Sequence, residues 1–174
     1  MQRRKLRYAI QFGLVRPVWS ALINVGYLLC YFWRIPRARW EMESDASTIS
    51  VSHVRTILSL DGTYAPDTFR DWTCWPLVWY LRDFRGDCDD YAAMAHWLLG
   101  KVGISSRVYF LLEGPKQLDG SLLGHAVCLT EDQMFSNKDC VALPARVRGC
   151  ESAVRAWLMT EAFGVQFRSM WEQR

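Results

Sequence analysis

Cys88 stands inside "GDCDDYA", with Asp87 before it and Asp89 and Asp90 after it. Three carboxylates are a poor setting for an inert buried thiol, because burial penalises every charge that is not paired. They suit two chemistries. One is a hard cation held by carboxylate oxygens. The other is a working thiol at the first turn of a helix, where free N–H groups and the positive dipole end favour a thiolate. A thiol nucleophile needs an imidazole as base, and the chain has only three histidines. His96 projects from the outer side of its helix, and His53 reads as a packing residue of an earlier one. His125 follows Gly124 at the start of an apolar strand, where a bare glycine leaves room for close approach. Cys88 and His125 are therefore the candidate pair.

The imidazole needs a third group to hold it, and hairpin parity ranks the choices. A three-residue loop, Glu131 to Gln133, pairs Thr130 with Met134. That register puts Asp139 across from His125, with Asn137 one diagonal away. A two- or four-residue loop flips the return strand and offers Ser136 or Lys138 instead. The order of preference is Asn137, then Asp139, then Ser136. A metal site of Cys88, His125 and Cys128 converges poorly, since residues three apart on a strand point to opposite faces.

These residues need elements to position them. After Gly86, Asp87 is a good N-cap and Asp90 completes a capping-box pattern. Cys88, Ala92, Ala95 and Leu99 then share one face of a helix ending at Gly100 or Gly103. The two small alanines let it lie close to a sheet. "RVYFLLE", 107–113, is a continuous apolar run, the mark of a strand buried on both faces. "HAVCLT" and "MFSNKDCVAL" read as the two arms of a hairpin, and 150–167 as a C-terminal helix. "SVSHVRTILSL" is a short helix, and "RIPRARWEMESDAS" reads as a linker. Trp72, Trp75 and Trp79 either line a cleft or pack the core.

The chain is 174 residues long and 51% hydrophobic, enough for one packed domain with an appended arm. Its net charge of +3 is too mild to imply nucleic-acid binding. None of the six cysteines forms a CxxC pair, which weighs against zinc-ribbon and thioredoxin-like readings. The expected organisation is a basic, hydrophobic N-terminal arm at 1–40 and a domain at 41–174. Within the arm, residues 14–35 have two readings. One is a membrane anchor with Trp19, Tyr31 and Trp33 at its ends. The other is a helix packed on the domain. The run between Arg16 and Arg34 is short for a span, and Asn24 and Gly26 interrupt it.

Taken in order, "GDCDDYA", "GISSRV", "GHAV" and "SN" resemble the transglutaminase-like cysteine peptidase superfamily, in particular the bacterial transglutaminase-like cysteine proteinases and their phage relatives. The resemblance covers about 51–143. It implies an α+β fold with a papain-like core, in which the nucleophile helix packs on an antiparallel sheet and the N-terminal arm is an addition. It implies Cys88 as nucleophile, His125 as general base, and Asn137 (alternatively Asp139 or Ser136) as the group holding the base. The reaction implied is hydrolysis of a peptide or protein substrate through a thioester. Acyl transfer to an amine, or a catalytically silent binding module, are the alternatives. No cofactor is required. Some relatives take calcium beside the nucleophile, and Asp87 and Asp89 stand at those positions; the competing reading is a helix cap.

Overall fold

The computed structural model describes residues 14–65, 73–115 and 123–173. Helix α1 (Arg16–Cys30) leads through a short 3-10 turn (Phe32–Arg34) into α2 (Ile35–Thr48) and α3 (Val51–Thr56), which runs on as a wide turn to Asp61. Strand β1 (Thr63–Tyr64) precedes α4 (Pro76–Leu81), β2 (Arg85–Gly86) and α5 (Cys88–Lys101). Then come β3 (Arg107–Leu112), β4 (His125–Leu129), β5 (Gln133–Ser136), β6 (Asp139–Ala142), α6 (Glu151–Thr160) and β7 (Ser169–Gln173).

The architecture is α+β. Five antiparallel strands lie in the order β6-β5-β4-β3-β7, and β1 and β2 form a small parallel pair. Strand alternation divides the interior into two cores. Val108, Phe110, Ala126, Cys128 and Phe135 face α5, meeting Ala92, Ala95, Leu98 and Leu99. Tyr109, Leu111, Val127, Leu129 and Met134 face the other way, onto Trp157, Leu158 and Phe167. A sheet covered on both faces explains the unbroken apolar run of β3.

Four expectations need correction. Residues 35–48 are helical and not a linker. Pro36 sits in the first turn, where its missing N–H costs nothing, and Arg37 pairs with Glu41 four residues on at 2.8 Å. Tyr80 donates to Asp45 at 2.5 Å and fastens the helix to α4. The single return strand is two strands, because Asn137 takes φ 51° and turns the chain so that Ser136 pairs with Asp139. The C-terminal helix stops at Thr160, and the chain then adds β7 against β3. "SMWEQ" escapes a periodicity reading because an edge strand with one wet side carries polar residues freely. The hairpin register is the fourth. Cys128 pairs with Phe135 and Leu129 with Met134, and the Thr130 N–H bonds the Gln133 carbonyl at 2.9 Å. The loop is therefore Glu131–Asp132, two residues and not three.

No single helix among the described residues is long and apolar enough to cross a membrane. The bent pair of α1 with the helical segment after it, 77° apart, meets that test by length and composition alone.

Candidate active site

Cys88 is the first residue of α5, and the aspartates around it do different work. Asp87 caps the helix and accepts from the Asp89 N–H at 3.3 Å. Asp90 reaches back to the Asp87 N–H (3.2 Å), closing the capping box. It also accepts from the Cys74 N–H at 2.6 Å and from Arg82 at 3.2 Å. That fully buried carboxylate ties the segment before α4, and α4's own end, to the site helix. The fit is close: a Cβ on Gly86 would lie 2.5 Å from the Asp90 Cβ. Asp89 turns toward the arm. Arg16 of α1 holds it in an ion pair at 2.5 Å, and the Thr73 hydroxyl donates to the same oxygen at 2.5 Å. The guanidinium also lies 4.5 Å above the Phe110 ring.

The Cys88 thiol lies at the start of β4, beside the backbone N–H of Ala126. Burial, then the carboxylates of Asp89 and Asp87, push the thiol up to about 12, against the pull of that N–H and of Arg16. His125 is lowered to about 4 by burial. Both groups are therefore neutral at pH 7. His125 Nε2 and the Ser136 hydroxyl are hydrogen-bonded at 2.8 Å, and Phe163 meets the imidazole edge to face at 4.8 Å.

Ser136 is the partner because of the register. A two-residue loop sets Ser136 opposite Val127, on His125's face and one diagonal away. Asn137 falls in the turn with its Oδ1 buried and without a hydrogen-bond partner, and Asp139 opens the next strand with its side chain exposed. Cys88 and His125 are brought to the same end of β4, but from opposite faces of the sheet. No hydrogen bond joins them among the described residues.

The acidic cluster has the spacing a cation would need, but its carboxylates already have partners. One oxygen each of Asp87 and Asp89 and the Cys88 sulfur lie within 4.8 Å of one another. Yet Asp89 is already neutralised by Arg16, and Asp87 is engaged as the cap. Arg16 was missed from the sequence. Its signal was there: Arg16, Ser20 and Asn24 recur every four residues, a polar stripe along an otherwise apolar helix. Of the three tryptophans, Trp79 is core, Trp75 is exposed, and Trp72 lies outside the described residues. Trp75 edges a groove of about 910 Å³ between α1 and β7, which stops short of both Cys88 and His125.

No protein-family model matches the chain, and no curated protein does. Among solved structures it is similar to LapG of Legionella pneumophila, with 15% identity over 75% of this chain and 78% of that one, and a TM-score of 0.44. It is also similar to a "putative protease" from Parabacteroides distasonis, at 16% identity over 68% of this chain but only 26% of the other, with a TM-score of 0.35.

Proposed function

We propose that the protein is a thiol-dependent hydrolase of peptide-type amides, with Cys88 as nucleophile, His125 as base and Ser136 as the group that positions the base. What supports this is one juxtaposition. A thiol at a helix start lies against the amide following His125, while the Nε2 of that histidine is held by a hydroxyl. With Nε2–H donating to Ser136, Nδ1 is left to take the thiol proton once the two side chains, on opposite faces of the sheet at rest, are brought together. The sulfur then attacks the carbonyl carbon, and Nδ1–H protonates the departing amine. Water resolves the thioester and returns the thiol. The Cys88 N–H, at a helix N-terminus, is the available donor for the developing oxyanion. Asn137, one residue beyond Ser136 with an unpartnered oxygen, is the second candidate for holding the base.

The test is a peptide library read by mass spectrometry, with a fluorescent primary amine added in parallel. Cleavage lost in Cys88→Ala supports hydrolysis; amine incorporation lost in the same variant assigns acyl transfer. If Cys88→Ala leaves every product unchanged, the reading fails. One observation favours a silent binding module instead, namely the missing hydrogen bond between Cys88 and His125. Peptide retention without turnover, equal in wild type and Cys88→Ala, would select it.

A further inference from the structure

Helix α1 packs Ile23, Tyr27 and Leu28 on the core but also turns a polar stripe inward and an apolar one outward. Its polar stripe faces the protein: Ser20 is 7% exposed and Asn24 is fully buried. The Asn24 amide donates to the Thr73 carbonyl at 2.9 Å and accepts from the Trp75 N–H at 2.8 Å, and the Ser20 hydroxyl accepts from the Thr73 N–H at 2.9 Å. The apolar stripe faces outward. Val18, Leu22, Val25 and Leu29 recur along one helix face, with Leu22 62% and Leu29 72% exposed. Phe32 (66%) and Trp33 (63%), in the turn after the helix, are exposed as well. An exposed apolar stripe of this length commonly marks an interaction surface.

We infer that this face docks on an anionic lipid surface, with α1 lying in the plane of the interface. Charge selects the occupant. Through Trp40 the chain has eight basic residues and no acidic one, whereas from Glu41 onward it has thirteen basic and eighteen acidic residues. Arg16 is committed to Asp89 and Arg34 to Asp83, but the arm's sequence keeps a basic excess that the rest lacks, so an anionic surface attracts it in preference. Two copies of the same basic arm, brought face to face, would repel. An in-plane helix is also what the hydrogen bonds allow. A span would strip Ser20 and Asn24 from Thr73 and Trp75 and place them in hydrocarbon, where unsatisfied polar groups cost dearly. At fifteen residues, α1 is about 22 Å long, short of the bilayer core.

The test is co-sedimentation of the full chain with vesicles of phosphatidylcholine alone, or with about one-third phosphatidylglycerol. Binding to the anionic vesicles is expected, at least about tenfold weaker on neutral vesicles or in high salt. The variant Leu22→Gln/Leu29→Gln/Phe32→Gln/Trp33→Gln changes only exposed positions and should bind at least about tenfold more weakly. Far-UV circular dichroism checks its fold, and Leu29→Gln alone is the milder second variant. Carbonate washing should release the wild type. Equal binding by wild type and variants, or no binding to either vesicle, overturns the inference. So does retention after carbonate, which would mean a span. Self-association abolished by the same substitutions would give the face to a second copy and overturn it as well.

Discussion

Alkylation of Cys88 gives the most direct reading of the site. An ordinary thiol of pKa 9.0 is about a tenth ionised at pH 8, while Cys88, held at about 12, is ionised to about one part in ten thousand. Alkylation proceeds through the thiolate, so Cys88 should react about a thousandfold more slowly than an unperturbed cysteine. The assay uses a chain with Cys30 and Cys150 changed to serine, since both are exposed. Cys150 is moreover shifted down by its hydrogen bond to Ser152 and the backbone N–H of Ala153. Iodoacetamide labelling is followed by intact mass and peptide mapping from pH 5 to 10. The Cys88 rate should climb with pH across the whole range without levelling. His125→Ala should leave it within about threefold, because the imidazole makes no hydrogen bond to the thiol. A rate plateau below pH 7 that vanishes in His125→Ala would mean a preformed thiolate–imidazolium pair. The resting arrangement argued from the carboxylates would then be wrong.

Three further outcomes follow from the same geometry. Arg16→Met should destabilise the fold by about 3 kcal/mol, because Asp89 loses the cation that neutralises it in a buried setting; urea unfolding measures this, and adding Asp89→Leu should recover part of the loss. His125 keeps its proton only below about 4 when folded, whereas the unfolded chain binds one near 6.5. Between those values the unfolded state binds more protons, so stability is complete above pH 6.5 and falls by at most about 3 kcal/mol on acidification to pH 4. Unfolding midpoints across that window check it, and His125→Gln should flatten the profile. Finally, calcium added or chelated should leave the melting temperature unchanged, since Asp89 is bound to Arg16; a rise with calcium that Asp87→Asn abolishes would refute this.

The site was more legible in the sequence than the arm around it. The start of α5 could be read because capping is local: Asp87 and Asp90 serve backbone groups within three residues. Strand β3 was legible because a sheet covered on both faces demands an apolar run. The partner of His125 was not, because parity turns on one residue of loop length. "TEDQM" carries no glycine signal to fix that length, and Thr130 closes the turn through its own hydroxyl, 3.0 Å from the Gln133 N–H. Helix α2 was hidden by composition: Pro36 and mixed charge look like a linker unless Pro is recognised as a first-turn residue. Long-range pairing was least visible. Nothing local says that Arg16 meets Asp89, although both patterns were present.

That pairing changes what the first forty residues are. As an appendage they could be removed without consequence for the site. In the structure their polar stripe supplies the cation for Asp89 of α5, two hydrogen-bond partners for the Thr73 backbone and one for the Trp75 amide. Deleting residues 1–40 removes these together, leaving Asp89 with the Thr73 hydroxyl but no cation and three backbone groups without these partners, each a cost of about 1–3 kcal/mol where water cannot enter. The truncated chain should therefore unfold at lower urea than Arg16→Met, which loses only one of them. If it proves as stable as the full chain, water satisfies those groups and the arm is dispensable to the fold. If it is weaker, the arm is part of the folded unit.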